Sequence, residues 1–254
     1  MLFAPEARYM NYGTLYIVAT PIGNLEDITL RALRLLKEAD LIAAEDTRVT
    51  RKLLSHYAIH TDITSYFEGN RLQKNEYLTG LLKNGKNIAL TSSAGTPGIS
   101  DPGYTLIKQC IENKINVVSV PGPSALISAL VTSGLPTDGF VFIGFVPRKR
   151  GKIARLIENA AALNKTIVLY ESPFRIAATL QIIDEVLNNP GVVVAREMTK
   201  KFEEVVRGKA AEVKEYFKGK KIIGECVILL DVKNSREADE ASAPSQVETN
   251  HDKI

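Results

Sequence analysis

The chain has 254 residues, 45% of them hydrophobic and 24% charged, with a formal net charge of +3. That is the composition of a globular protein with one large domain or two ordinary ones, and it excludes fibrous and wholly disordered classes. Two cysteines, Cys110 and Cys226, are too few for a disulfide framework or a cysteine-built zinc site, and no apolar run reaches the ~18 residues of a membrane helix.

Residues 1–12 read as a loose leader without the basic-then-apolar order of a secretory signal, so the expected location is cytoplasmic. Leu15–Thr20 is a short apolar run suited to a buried strand. Asp27 is the expected N-cap of a helix whose buried face carries Ile28, Ala32, Leu35 and Ala39. Strand Leu41–Ala44 follows, then helices near 47–56 and 71–84, strand Asn87–Thr91, a helix near 104–113 and strand Asn116–Val120. After Pro121-Gly-Pro123 the alternation restarts. Helices at 124–133, 152–163, 174–188 and 209–217 interleave with strands at Phe140–Phe145, Thr166–Tyr170, Val192–Ala195, Glu203–Arg207 and Glu225–Leu230.

Strand and helix alternating in this way predicts two α/β domains, 13–121 and 122–232. The segment 233–254 is poor in large apolar residues and is expected to be a disordered acidic tail. From Asp231 onward the net charge is −3, so the body before it carries +6. A mildly basic body permits a polyanionic partner without requiring one.

Several patterns fail on inspection. Gly80-Leu-Leu-Lys-Asn-Gly85-Lys86-Asn87 lacks the hydroxyl of a phosphate loop and follows a helix, so it reads as a glycine-ended helix. His56 and His60 have ligand spacing but no third partner nearby, and no metal is expected. No Gly-x-Ser-x-Gly elbow and no dinucleotide fingerprint occurs.

Three loops that follow strands look built for a ligand: 20–24, 92–103 and 121–125. The second holds three glycines and two prolines between Gly95 and Gly103. Such a loop sets an unusual backbone path and lets main-chain groups approach a bound molecule closely.

These loops also carry a resemblance. Leu15-Tyr-Ile-Val-Ala-Thr-Pro-Ile-Gly-Asn-Leu-Glu-Asp-Ile-Thr-Leu-Arg-Ala-Leu33 resembles the opening of the tetrapyrrole-methylase-like family. Further matches are Ala43-Ala-Glu-Asp-Thr-Arg48, Arg51-Lys-Leu-Leu54, Ala94-Gly-Thr-Pro-Gly-Ile-Ser-Asp-Pro-Gly103, Pro121-Gly-Pro-Ser-Ala125, Tyr170-Glu-Ser-Pro173 and Val194-Ala-Arg-Glu197. They span roughly residues 14–230 in the family's order.

The resemblance implies two α/β domains of the tetrapyrrole methylase type, with S-adenosylmethionine in a cleft between them, and a homodimer. It points to the branch that methylates the ribose 2′-hydroxyl of a cytidine in small-subunit ribosomal RNA, near the decoding centre. By similarity, Pro21 and Ile22, Gly95, Thr96, Pro97, Gly98, Ile99 and Ser100, and Ser124 and Ala125 would touch the cofactor. Tyr170, Arg196 and Glu197 would complete the pocket. The pattern is broken at four positions: Ser93 stands for the family's Asp, and Phe67, Gly69 and Phe174 stand for histidines.

Removing the hydroxyl proton calls for a nearby acceptor. Glu45, Asp46, Asp101, Glu171 and Glu197 are the candidates, with Asp46, Glu171 and Asp101 preferred as catalytic residues. Each has a structural alternative: a helix cap for Asp101, ion pairs with Arg48 or Arg51 for Glu45 and Asp46, with Arg175 for Glu171, and with Arg196 or a lysine for Glu197. Pro147–Arg155 has five bases and no acid, which suits phosphate contacts through Arg148, Lys149, Arg150 and Lys152. Arg48 and Arg51 would extend that RNA-binding surface, and Tyr66, Phe67 and Tyr170 are candidates to stack a base. The alternatives to this reading are a tetrapyrrole C-methyltransferase and a non-catalytic RNA-binding protein on the same fold.

Overall fold

The computed structural model describes residues 11–220 and 222–232, so most of the expected leader and all of the tail lie outside the described residues. The chain divides into two units: residues 1–128 with 198–200, and residues 129–197 with 201–254.

The first unit contains β1 (Thr14–Val18), α1 (Leu30–Glu38), β2 (Leu41–Ala44), α2 (Thr47–His56), β3 (Ile63–Ser65), α3 (Arg71–Lys83), β4 (Ile88–Thr91), α4 (Tyr104–Glu112) and β5 (Asn116–Val120). All its strands are parallel, in the order β3-β2-β4-β1-β5. Side chains alternate between the two faces of the sheet, as strand geometry requires. Leu15, Ile17, Ile88 and Leu90 pack with Leu78, Leu82, Leu106 and Cys110 of α3 and α4. Val18, Ile42, Ala44 and Ala89 pack with Leu35, Leu36, Leu53 and Leu54 of α1 and α2. Helices therefore cover both faces, as a parallel sheet demands.

Two local expectations need correction. The N-cap of α1 is Thr29, whose hydroxyl accepts the Ala32 N–H at 3.1 Å. Asp27 instead ends a short 3-10 turn, Leu25–Asp27, that Asn24 caps. The edge strand β3 was not anticipated; its three residues are all half-buried, so it shows no apolar run. Gly80 lies inside α3, and Gly85 takes φ +81 just beyond it, as a glycine-ended helix predicts.

The helix α5 (Ala125–Ser133) carries the division between the units, which falls after Ser128 and not at Pro121. Pro123 explains the difference: its carbonyl accepts the Thr96 hydroxyl at 3.3 Å, which ties the Pro-Gly-Pro segment into the first unit.

The second unit holds β6 (Phe140–Phe145), α6 (Arg150–Ala161), β7 (Thr166–Glu171), α7 (Ile176–Leu187), β8 (Gly191–Arg196), β9 (Glu204–Lys209), α8 (Ala210–Phe217) and β10 (Cys226–Asp231). Its sheet is mixed, in the order β6-β7-β10-β8-β9, with only β6 and β7 parallel among the paired strands. One face, including Ile167, Leu169, Val194, Ile228 and Leu230, packs against Ile157, Leu180, Ile183 and Val213 of the three helices.

Candidate functional site

In the first unit the three loops leave the C-terminal ends of β1, β4 and β5, which are adjacent strands. The chain reverses its direction of travel across the sheet here, and open α/β sheets bind ligands at such switch points. The loops are also bonded to one another. Thr20 and Gly95 exchange both main-chain hydrogen bonds at 2.9 Å, which fastens the first loop to the second. The Thr20 hydroxyl donates to the Ser92 carbonyl at 3.2 Å, and Thr96 reaches Pro123 in the third loop. A side chain on Gly122 would meet the Ala19 Cβ at 3.0 Å, so the third loop approaches β1 at a distance that suits glycine.

The second loop keeps its path through left-handed backbone at Gly95 (φ +78), Gly98 (φ +85) and Ser100 (φ +62). At its head the Thr91 hydroxyl is buried without a partner, although buried polar groups are nearly always hydrogen-bonded. Ile99 and Ser100 are exposed, whereas Ile22 is buried. After Glu197 the chain returns to the first unit for three residues, and the Asn24 N–H donates to the Thr199 hydroxyl at 3.1 Å.

Glu45, at the end of β2, is the acid that meets this cluster. Its Oε2 accepts both the N–H and the hydroxyl of Ser93 at 2.8 Å. The residue that breaks the family pattern thus becomes a donor to a carboxylate, where an aspartate would have opposed it with a like charge. Nothing in the sequence joins positions 48 residues apart, so this pairing was not foreseen.

Asp46 behaves as its structural alternative predicts. It caps α2 by accepting the Arg48 N–H at 2.8 Å and pairs with the Arg48 guanidinium at 2.7 Å. The side-chain hydrogen bond from Arg48 holds its carboxyl well below the usual carboxylate range, which makes it a weaker base than an unpaired carboxylate. Asp101 is half-buried in the second loop, two residues before Gly103, the N-cap of α4. Arg51 is exposed on α2 beside the equally exposed Arg48. Tyr66 is fully buried and its hydroxyl bonds Asn75 at 2.9 Å, so it is a core residue and not a stacking platform. Phe67 is 45% exposed.

In the second unit, the sheet register gathers Tyr170, Glu171 and Arg196 at one end of the sheet. Cys226 lies between Glu171 and Arg196, Tyr170 sits beside Phe145, and Arg196 sits beside Glu204. Glu171 is buried and committed: it accepts the Ser172 N–H at 2.7 Å and the Thr179 hydroxyl at 2.5 Å, with Arg175 at 3.5 Å. These bonds give it a part in organising its own loop, the structural alternative weighed for it. Arg196 pairs with Glu204. Glu197 takes φ +51 and accepts the Glu225 N–H at 3.2 Å. Tyr170 packs edge-on against Phe142 at 4.9 Å. Burial pushes the thiol of Cys226 up to about 12 and that of Cys110 up to about 11, so both remain neutral at physiological pH.

Arg148, Lys149, Arg150, Lys152 and Arg155 are all exposed around the start of α6, as the basic run predicts. Arg150 is paired with Glu185, leaving Arg148, Lys149 and Lys152 as the stronger phosphate-binding candidates.

The family of Tetrapyrrole (Corrin/Porphyrin) Methylases matches residues 14–214. The chain belongs to this family. Among curated methylases of the family it is similar to the ribosomal RNA small subunit methyltransferase I of Thermotoga maritima, at 48% identity over 87% of this chain and 99% of that protein. It is also similar to the protein of the same name from Halalkalibacterium halodurans, at 47% identity over 86% of this chain and 76% of that one. The fold matches the uroporphyrin-III C-methyltransferase of Thermus thermophilus, solved in complex with S-adenosylhomocysteine. That likeness has a TM-score of 0.60 at 21% identity and covers 87% of this chain and 99% of the other. Among the described residues, no helix of this methylase is long and apolar enough to cross a membrane.

Proposed function

We propose that the chain transfers a methyl group from S-adenosylmethionine to a ribose 2′-hydroxyl of a cytidine in small-subunit ribosomal RNA. The observation that carries this is the cluster of three bonded loops at the switch point of the first sheet, in a chain nearly half identical to methyltransferases named for that RNA.

The residues present fit the cofactor. Gly98 offers main-chain groups without side-chain cover, Gly95 fastens the loops through its paired bonds with Thr20, and Thr91 leaves a buried hydroxyl in need of a partner. Pro21, Ile22, Gly95–Ser100, Ser124 and Ala125 of the first unit would hold it. When bound, S-adenosylmethionine supplies a methyl group already activated by its sulfonium. The protein's share of the work is alignment, worth roughly 7–11 kcal/mol in well-oriented reactions, and removal of one proton. Glu45 is the acid to which we assign that proton. It is half-buried, and both of its contacts to Ser93 are made by Oε2. Asp101, in the same loop, stands second.

Arg148, Lys149 and Lys152 would bind RNA phosphates, with Arg48 and Arg51 as a second basic group. Part of the same reading is a cytoplasmic homodimer acting on small-subunit ribosomal RNA, free or in the assembled subunit. Ile127 and Val131, four apart on α5 and both exposed, are apolar enough to support a self-association face.

Affinity for RNA then falls steeply with salt. Replacing Arg148, Lys149 and Lys152 together with Ala flattens the slope of log K against log salt by about 2–3, since each phosphate contact contributes about 0.7–0.9. Filter binding across a salt series reads this directly. A slope unchanged in the triple variant removes these residues from the RNA interface, and wild-type binding without salt dependence contradicts the RNA assignment.

A further inference from the structure

In the second unit, exposed aromatic rings and exposed cations converge on the loop between β6 and α6. The β6–β7 register shifts between Phe142 and Phe145, and Gly144 takes φ +66. Bulges of this kind re-aim the side chain that follows. Here they leave the Phe145 ring tilted against Tyr170 at 5.4 Å and still 63% exposed.

Phe174 is 91% exposed, yet it stands on a fixed turn. Glu171 holds the turn through the Ser172 N–H and the Thr179 hydroxyl, and the Arg175 N–H donates to the Ser172 carbonyl at 2.9 Å. The Arg175 guanidinium also donates to the Val146 carbonyl at 3.2 Å and to the Pro147 carbonyl at 2.5 Å. The turn presenting Phe174 is thus tied to the residues that directly follow Phe145. Arg148, Lys149 and Lys152 come next, all exposed. Two rings held in water on anchored backbone contribute little to the core, so they mark a contact surface.

We propose that Phe145 and Phe174 form a stacking surface for unpaired bases of a single-stranded RNA segment whose phosphates lie along Arg148, Lys149 and Lys152. Aromatic faces beside a positive track are the combination that grips single strands, because every base offers a π-face and the cations hold the backbone. A duplex hides those faces in its own stack. Charge selects the occupant: Pro147–Arg155 has five bases and no acid, which favours a polyanion over a second copy of a net-positive chain. The proposal rests on the RNA reading above and adds the form of RNA that is gripped.

The test titrates the full chain into a short single-stranded oligoribonucleotide carrying 2-aminopurine, whose fluorescence is quenched on stacking. The wild type binds and quenches. Phe174→Ala weakens binding roughly 5- to 100-fold, the loss expected for one stacked base, without changing the salt slope. Phe174→Leu matches Ala, and Phe174→Trp retains binding. Phe145→Ala gives a loss of the same kind. Wild-type affinity and quenching in the Ala and Leu variants overturn the proposal, as does failure of the wild type to bind the oligonucleotide. So does light scattering that shows Phe174→Ala splitting a dimer with RNA affinity intact, because a second copy then covers this face. Methyl transfer to small subunits is measured in parallel. Transfer with wild-type KM in Phe174→Ala defeats the stacking proposal alone, and quenching without any transfer by the wild type defeats the enzymatic reading alone.

Discussion

Gly95→Val eliminates measurable S-adenosylmethionine binding while leaving the chain folded. Gly95 takes φ +78, where a β-branched residue carries a strain of about 1–3 kcal/mol. An added Cβ there would already stand 3.5 Å from the Ile22 Cγ2 and 3.7 Å from the Pro123 carbonyl oxygen, and valine adds two methyl groups beyond it. Gly95 is also the residue whose paired bonds with Thr20 join the first two loops. Displacing it separates the groups on which ligand alignment depends, whereas the core clusters on either side of the sheet contain none of the loop residues. Gly95→Ala meets only ordinary contacts and bears the backbone strain alone, so it weakens binding without abolishing it. Calorimetric titration, with circular dichroism to verify folding, separates these outcomes. A valine variant that binds as the wild type does contradicts the placement of the cofactor.

Glu45→Gln lowers the single-turnover transfer rate by about 10²–10⁴, the range of general-base contributions, with cofactor affinity nearly unchanged. The amide oxygen still accepts the two Ser93 donors, so the loop keeps its anchor. Asp46→Asn serves as the contrast. Asparagine caps helices as well as aspartate does, and the Asp46 carboxylate is already engaged by Arg48, so transfer changes only a few-fold. Rapid-quench measurement of both variants on small subunits decides the matter. A Glu45→Gln protein at wild-type rate, or an Asp46→Asn protein slowed as far as predicted for Glu45→Gln, would contradict the assignment.

Much of the architecture was legible because apolar runs report buried strands. Asn116–Val120 and Phe140–Phe145 were read with the bounds they have in the structure, and Thr166–Tyr170 fell one residue short. The edge strand Ile63–Ser65 escaped because a three-residue, half-buried strand leaves no pattern. The N-cap of α1 was misplaced because Asp27 and Thr29 are both good caps, and the choice was made by the 3-10 turn that Asn24 starts. Composition singled out the three loops, since glycine and proline mark backbone that side chains cannot follow. The contacts among them, Thr20 with Gly95 and Glu45 with Ser93, join distant positions and had no local signal. Asp46 and Glu171 stood between catalysis and ion pairing in the sequence because Arg48 and Arg175 were as readable as they were, and the structure shows the close contact of Asp46 with Arg48 and the longer one, 3.5 Å, of Glu171 with Arg175. Tyr66 looked like a stacking residue for a related reason: its burial depends on α3 and α4 closing over it.

The most direct measurement of the central claim incubates the chain with methyl-labelled S-adenosylmethionine and small ribosomal subunits lacking the modification, then hydrolyses the RNA in alkali. Cleavage of an RNA linkage needs a free 2′-hydroxyl, so the predicted product is label in an alkali-resistant dinucleotide that yields 2′-O-methylcytidine. Label released in alkali-sensitive nucleotides, or no transfer by a chain that binds the cofactor, would contradict it.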